Sequence, residues 1–263
     1  MKDLQPSALP EKQPVLGVPI SVLRDYEQTF QICLEYARTK ESCDYVTVNN
    51  VHTVAYALLH PEYKDLTKRA FLSLPDGMPL CRYLQKRRNI SEVNRIFGPE
   101  FFEKALSLGV EKEVSHFFLG GSQDCLDRVV SKAKIENPGI RIAGHYSPPF
   151  GAMSKEECDK ICSLINAADA DFVWVAFGAP RQEYWMAKNF TSIRRGLLFG
   201  VGAAFNYYAG EHKRAPEWMQ KNSMEWLYRL KQEPARLWSR YLIYNSLFVF
   251  ALILEKLKLY RPK

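Results

Sequence analysis

The chain has 263 residues, of which 47% are hydrophobic and 25% charged, a composition that excludes a disordered protein and a small disulfide scaffold. The formal net charge is +7, and all of this excess lies after residue 211, where eleven Lys and Arg stand against four Asp and Glu. A charge confined to one end disfavours a uniformly basic nucleic-acid binder and predicts a basic C-terminal contact surface.

The two ends of the chain predict its compartment. Residues 1–13 are polar and lack the apolar core of a signal peptide, so we expect a cytosolic protein whose six scattered cysteines are reduced. The apolar run at 241–254 is interrupted by Asn245 and Ser246. As a helix it would reach about 21 Å, short of a hydrocarbon core of ~30 Å, so it predicts no membrane span.

Strand-like and helix-like segments alternate through most of the chain. Short apolar runs predict strands at 44–48, 115–121, 140–144, 171–178 and 196–202. Helical patterns cover 51–59, 122–136, 155–166 and 181–190. Apolar strands that end in Gly or polar residues before a helix predict a Rossmann-like, doubly wound, mostly parallel α/β sheet. Ligands of such sheets bind at the carboxyl ends of the strands.

The pattern changes after Gly210, where strands stop and helices rich in Trp and basic residues follow over 215–259. Pro216 suits a helix start, and Pro234 marks a break between two helices. We therefore expect an α/β catalytic domain at 1–210 and a basic, aromatic helical appendage at 211–263.

Two polar clusters follow predicted strand or turn segments. Thr47 and Asn49 end the first strand, and Asn49 suits either a ligand contact or the cap of the next helix. Asp76 lies in the turn Leu-Pro-Asp-Gly-Met-Pro at 74–79. It is either an ordinary turn residue or a carboxylate that accepts a proton, since an unshifted Asp, with a pKa near ~3.9, is already ionised.

A third cluster is Gly-Ala-Pro-Arg-Gln-Glu at 178–183. Gly178 permits a close approach to a ligand, Pro180 fits the first helical position, and the helix start favours a diphosphate. Gln182 offers donor and acceptor groups, and Glu183 suits ribose or sugar hydroxyls. Glycines also follow strands at 200–202 and at Gly120 and Gly121.

Several other chemistries lack their usual residues. No dinucleotide fingerprint G-x-G-x-x-G is present, which disfavours a nicotinamide-dependent oxidoreductase, and neither a nucleophile elbow nor a P-loop occurs. The Asp-x-Asp pair of Asp169 and Asp171 begins its strand, opposite the expected ligand edge. We therefore expect no metal site and no cofactor.

Longer motifs carry a family resemblance. These are VTVNNVHTV, LPDGMPL, NRIFGPEFF, FFLGGS, PGIRIAGHYSPPF, DFVWVAFGAPRQEYW, GVGAAFNYYAGEHKRAPEW and MEWLYRLKQEPARLWSRY. From about residue 18 to 241 the chain resembles the WecG/TagA/CpsF family, glycosyltransferase family 26. The resemblance implies an inverting, metal-independent enzyme, peripheral on the inner face of the bacterial cytoplasmic membrane. Such an enzyme passes a sugar from a UDP-sugar to a polyprenyl-diphosphate-linked sugar.

The resemblance also assigns roles to residues. Asp76 matches the family's proposed catalytic base, Thr47 and Asn49 match its T-x-N pair, and Gln182 matches its pocket glutamine. Arg95 matches a basic position that contacts the acceptor. The C-terminal segment, which in the family completes the active site at the membrane, contributes Arg214, Arg229, Arg236 and Arg240.

The chain departs from the family pattern at three places. Asn206 stands where many relatives have Asp, Ser239 precedes Arg240 where relatives often have a second arginine, and the turn reads DGMPL rather than D-G-x-G. The turn is closer to exopolysaccharide-type members. It leaves the donor open among UDP-hexose, UDP-N-acetylmannosamine and UDP-uronic acid.

The expected partners are a UDP-sugar, a polyprenyl-diphosphate-linked acceptor and an anionic membrane surface, with no nucleic acid. A homo-oligomer is a further way to cover the apolar C-terminal helix. The rival function is a non-catalytic, membrane-tethered UDP-sugar-binding protein, which would bind donor without releasing UDP.

Overall fold

The computed structural model describes residues 9–39 and 41–260. The strands of this part of the chain are β1 Lys12–Val15, β2 Val18–Ser21, β3 Cys43–Asn49, β4 Leu72–Pro75, β5 Ser115–Gly120, β6 Arg141–Tyr146, β7 Phe172–Ala176 and β8 Gly196–Gly200. The helices before β7 are α1 Tyr26–Thr39, α2 Val51–Leu59, α3 Pro61–Arg69, α4 Met78–Arg87, α5 Gly98–Glu111, α6 Gln123–Glu136 and α7 Lys155–Ala168. After β7 come α8 Arg181–Asn189, a 3-10 turn Phe190–Ser192, α9 Ala204–Tyr208, α10 Glu217–Lys221, α11 Glu225–Gln232 and α12 Pro234–Lys256.

The centre of the fold is an all-parallel six-stranded sheet in the order β4-β3-β8-β7-β5-β6. This confirms the predicted Rossmann-like α/β class. The carboxyl ends of β4, β3, β8 and β7 lie side by side, so the loops that follow these strands meet at one edge. β1 and β2 form a separate antiparallel hairpin.

Except at its exposed edge strand β6, the sheet is buried on both faces, which explains its continuous apolar strands. In β8, Leu197 and Phe199 pack with α1, α5 and α9, whereas Leu198 packs with α7 and α8 on the other face. Trp174 of β7 is fully buried, with its ring centroid 4.5 Å from that of Phe199. All six cysteines are unpaired and buried.

A third apolar cluster joins the C-terminal helix to the body. Phe248 and Ala251 of α12 are buried against residues of the β1–β2 hairpin and of α2, α3 and α4. Near its end, Glu255 accepts a 2.6 Å hydrogen bond from the Tyr83 hydroxyl and forms a 3.2 Å ion pair with Arg87. One face of α12 is therefore anchored along α2 and α4.

The structure differs from the sequence-based prediction in its short strands, in added helices such as α1, α3 and α5 and in the length of its last helix. The edge strand β4 and the hairpin were not predicted, because each of their strands has only four residues.

Helix α12 has 23 residues, since it begins at Pro234, before the apolar run. At about 34 Å it is long enough to cross a membrane, and it is apolar enough as well, so the length argument against a span was wrong. Length and composition alone are weak support for a span, and 17% of the apolar window is buried inside the protein.

Candidate active site

A cleft of about 540 Å³ lies between the carboxyl edge of the sheet and the C-terminal helices. We call its two sides the sheet wall and the helical wall. The sheet wall comes from the segments that follow β3, β4, β7 and β8 and includes Asn50, His52, Asp76, Gly178, Gln182 and Gly202. The helical wall comes from α10 to α12 and the turn between α10 and α11, and includes Ser223, Glu225, Arg229, Arg236, Arg240 and Tyr241.

Asp76 lies directly after β4 and lines the cleft. Its backbone N–H donates to the Asn49 carbonyl at 2.9 Å, and its Oδ1 accepts from the Gly98 N–H at 2.8 Å. Among the described residues, Oδ2 accepts only a long 3.4 Å hydrogen bond, from Asn50 Nδ2. A Cβ at Gly98 would lie 3.1 Å from the Val48 side chain, so glycine permits this close approach. The carboxylate is thus oriented by one strong contact and keeps acceptor capacity.

The helix cap after β3 is Asn50 and not Asn49. Asn50 Oδ1 accepts from the backbone N–H groups of His52 and Thr53, at 3.0 and 3.4 Å. The capping alternative considered for Asn49 is therefore wrong by one residue. The same Asn50 side chain both starts α2 and contacts Asp76, because its amide has a free donor end.

Thr47 and Asn49 are fully buried and do not line the cleft. Asn49 Nδ2 donates to Thr47 Oγ1 at 2.9 Å, and Thr53 Oγ1 donates to Asn49 Oδ1 at 3.3 Å. Thr47 Oγ1 also lies 3.2 Å from Ser73 Oγ of β4. The pair ties β3 to β4 and to α2 beneath Asp76, and the structure does not bring either side chain to the cleft surface.

Gln182 links the two glycine loops of the sheet wall. Its Oε1 accepts from the Gly178 N–H at 3.1 Å and from the Gly202 N–H at 2.9 Å, and its Nε2 donates to Glu183 at 2.8 Å. A Cβ at Gly200 would lie 2.9 Å from Gln182 Nε2, so the amide fits only beside glycine. The loops after β7 and β8 are therefore held together by one side chain.

Glu183 is fully buried and does not line the cleft, so the structure places it behind Gln182 and not beside a ligand. Burial raises the pKa of its carboxyl to about 7, and Oε2 has no hydrogen-bond partner within the described residues. Pro180 follows a cis peptide bond and is the cap of α8, which begins at Arg181 as predicted, so Pro180 does not take the first helical position expected for it.

Three further predicted site residues also lie outside the cleft lining. Gly120 packs against β7, where a Cβ would be 2.9 Å from the Ala176 carbonyl oxygen, and the Gly121 carbonyl accepts from Ser147 at 2.8 Å. Arg214 is exposed and pairs with Glu100 of α5 at 2.8 Å. These residues shape the sheet and attach the C-terminal segment.

Arg95 lies between the two walls. Its Nε donates to the Asp76 carbonyl at 2.5 Å, and its Nη2 forms a 2.5 Å ion pair with Glu225 Oε2 of α11. The guanidinium also lies 4.4 Å from the ring centroid of Phe97. Arg95 therefore connects the loop of the candidate base to the helical wall.

The helical wall brings positive charge to the cleft. Arg240 contacts His52 Nδ1 at 2.6 Å and the Ala179 carbonyl at 3.5 Å, and Arg229 lies 5.8 Å from the Tyr207 ring centroid. Burial and the Arg240 charge lower the pKa of His52 to about 3. His52 is therefore a neutral acceptor for Arg240, since a guanidinium only donates. Arg236 is exposed and pairs with Glu233 at 2.5 Å.

The Asp-x-Asp pair lies at the opposite end of the sheet and is used in ion pairs. Asp171 accepts from the Ser115 N–H at 2.9 Å and pairs with Arg195, which also contacts Asp169 at 3.4 Å. In residues 9–39 and 41–260, no group of three or more His, Cys, Asp or Glu is placed to hold a metal ion.

Sequence reasoning missed several residues that the structure places in or beside the cleft, among them Asn50, His52, Gly98, Ser223 and Glu225. The Asn-x-x-Thr spacing of a capping box could have identified Asn50. His52 and Glu225 carry no local signal, because their arginine partners are 188 and 130 residues away along the chain.

Comparison with known proteins relates the chain to glycosyltransferases. Residues 13–262 match the model of the glycosyl transferase WecG/TagA/CpsF family. Two relatives are named N-acetylglucosaminyldiphosphoundecaprenol N-acetyl-beta-D-mannosaminyltransferase. The one from Bacillus subtilis (strain 168) is 32% identical over 72% of each chain. The one from Bacillus spizizenii is 32% identical over 71% of this chain and 70% of its own. This protein therefore belongs to the WecG/TagA/CpsF family of glycosyltransferases.

Proposed function

We propose that the protein transfers a sugar from a UDP-sugar to a polyprenyl-diphosphate-linked sugar, with inversion at the anomeric carbon. The names of the two relatives support a lipid-linked N-acetylglucosamine as acceptor, and they favour N-acetylmannosamine among the three donor classes. The observation that carries the proposal is the oriented Asp76 carboxylate at the wall of a cleft that also contains several arginines.

In this mechanism Asp76 acts as general base. It takes the proton of the acceptor hydroxyl as that oxygen forms a bond to the anomeric carbon. The bond from this carbon to the diphosphate oxygen breaks on the opposite face, and UDP leaves with the electron pair. Base catalysis of this kind contributes roughly 100- to 10,000-fold in rate. The Gly98 N–H stabilises the ionised carboxylate before the reaction.

The leaving diphosphate gains negative charge, which the helical wall is suited to stabilise. Arg229, Arg236 and Arg240 line the cleft, and a guanidinium binds phosphate oxygens through paired hydrogen bonds. The Gly178 N–H, close to the helix start that was expected to favour a diphosphate, donates to Gln182. The arginines are therefore the main source of positive charge in this mechanism.

The C-terminal helix suits an anionic membrane surface. Helix α12 exposes four large apolar side chains, those of Trp238, Leu242, Ile243 and Phe250. A basic residue of segment 211–263 that faces an anionic lipid surface adds about 1 kcal/mol of attraction. Peripheral association would place the cleft beside a lipid-linked acceptor. A second copy of the chain is the other occupant considered for this apolar face.

A UDP-release assay tests the proposal. The protein is presented with a panel of UDP-sugars and a polyprenyl-diphosphate N-acetylglucosamine acceptor in anionic or zwitterionic vesicles. We expect release with at least one donor, faster on anionic vesicles, and a loss of roughly 100- to 10,000-fold in Asp76→Asn.

The matched control is Asp127→Asn, which changes an exposed carboxylate on α6. Near wild-type turnover of Asp76→Asn would rule out the base. Donor binding without UDP release in the presence of every acceptor would support the non-catalytic binding protein instead.

A further inference from the structure

Two side-chain oxygens at the start of α11 lack partners among the described residues. Ser223 Oγ and Glu225 Oε1 are buried and form no hydrogen bond within the part of the chain that the structure describes. Both residues line the cleft, and the Glu225 side chain is only 12% exposed. A buried oxygen without a partner is unfavourable, and in a native protein it calls for an explanation.

The position of these atoms separates them from the other unpartnered groups. The remaining buried side-chain atoms without a partner among the described residues belong to Tyr63, His116, Glu183 and Trp185. None of those four residues lines the cleft. Ser223 and Glu225 do line it, so a molecule bound in the cleft is the candidate partner for these two oxygens.

The chemistry of the two side chains restricts that partner. A carboxylate oxygen only accepts, so Glu225 Oε1 needs a donor and repels a phosphate group. Ser223 Oγ donates or accepts. A sugar hydroxyl, which also does both, is a suitable partner for either atom. The other Glu225 oxygen pairs with Arg95, which contacts Asp76, so these atoms lie one arginine side chain away from the candidate base.

Resting on the proposed function, we propose that Ser223 and Glu225 form a subsite that binds a hydroxyl of the sugar ring held in the cleft. The helical wall then has two parts. Its arginines bind diphosphate, and Ser223 and Glu225 select the sugar, with Glu225 accepting a hydrogen bond from one hydroxyl. A sugar without that hydroxyl would leave the Glu225 oxygen unpaired and be rejected.

The experiment pairs protein variants with deoxy-sugars. Glu225→Gln keeps the shape of the side chain and an oxygen for Arg95, but it replaces the free acceptor by an N–H donor. Ser223→Ala removes the hydroxyl alone. The matched controls, Glu111→Gln and Ser107→Ala, lie on the exposed side of α5.

KM is measured separately for donor and acceptor, with a monodeoxy series of each sugar. We expect Glu225→Gln to raise KM for one of the two sugars at least about 10-fold and Ser223→Ala to raise it less. One deoxy position should cost the wild type a similar factor and cost Glu225→Gln almost nothing more. The substrate that carries this position is the one bound by the subsite.

A purely structural role for Glu225 gives a different result. If Glu225 only holds Arg95, Glu225→Gln lowers kcat for every sugar, and the wild type and the variant differ by the same factor on every deoxy-sugar. That outcome would overturn the subsite.

Calorimetric binding of UDP-sugars and of a short-chain acceptor analogue separates this inference from the function. Weaker sugar binding by Glu225→Gln in a protein without turnover would support the subsite and refute the transferase. Equal binding by wild type and variant, or no sugar binding at all, would overturn the subsite.

Discussion

The two walls of the cleft are built in different ways. The sheet wall is held by hydrogen bonds between side chains and backbone, as in the contacts of Gln182 with two glycine loops and of Gly98 with Asp76. The helical wall consists largely of long charged side chains on α11 and α12, and its position depends on the packing of α12 against α2. One wall has a fixed shape, and the other supplies charge.

This difference separates stability from affinity. Polar groups in the sheet wall satisfy buried backbone donors, so their loss should lower the free energy of unfolding. Charged groups in the helical wall face the cleft, so their loss should mainly weaken ligand binding. The following substitutions test this separation, starting with the one expected to have the largest effect.

Gln182→Leu should destabilise the sheet wall. It leaves the Gly178 and Gly202 N–H groups without an acceptor and Glu183 without a donor. Glu183 is fully buried and the two glycines are partly buried; because a buried unpaired group costs about 1–3 kcal/mol, we expect the free energy of unfolding to fall by about 3 kcal/mol. Urea unfolding followed by tryptophan fluorescence measures this loss. Gln123→Leu, at the exposed first position of α6, is the control, and an equal effect of both changes would contradict the role of Gln182.

Arg240→Met should weaken the helical wall with a smaller effect on stability. Methionine keeps much of the apolar stem but removes the donors that contact His52 and Ala179. Loss of a charge-assisted hydrogen bond of about 1.5–3 kcal/mol predicts UDP binding that is roughly 10- to 150-fold weaker. Calorimetric titration with UDP measures it, with the exposed Arg128→Met as control. Unchanged UDP affinity would remove Arg240 from the diphosphate site.

We expect the free energy of unfolding to depend on pH through His116, a buried residue of β5 that lies outside the cleft. Burial lowers the pKa of this fully buried imidazole to about 3, against about 6.5 in an unfolded chain. Between these values the unfolded state binds more protons, so stability rises with pH and is lost as the pH falls from 6.5 toward 3. The contribution is about 1.4 kcal/mol per pH unit.

His116→Gln keeps an acceptor for the Trp174 indole N–H, which donates to His116 Nδ1 at 3.1 Å. Unfolding free energies measured between pH 4 and 7 should therefore fall less steeply in the variant than in the wild type. The exposed His145, changed to Gln in the same way, is the control. Parallel pH profiles for wild type and His116→Gln would show that His116 does not contribute.

The sequence predicted the strands that are buried on both faces and missed the short ones. Runs such as Phe172–Ala176 are apolar throughout, which is typical of central parallel strands. The four residues of β4 end in a proline and run into the Asp-Gly turn, so only the turn was predicted. Pairing with β3 makes this segment a strand, and no local pattern reports that pairing.

For the cleft, the sequence predicted Asp76 from the turn at 74–79 and Gln182 from the loop after a predicted strand, because the loops that follow parallel strands gather at one edge of the sheet. The tertiary structure alone decided which side chains reach the cleft. It buried Thr47 and Asn49 behind it and joined Arg95 to Glu225 across 130 residues of chain. The physical reason is that strand and helix patterns depend on neighbours in sequence, whereas hydrogen bonds and ion pairs across the cleft depend on how distant elements pack.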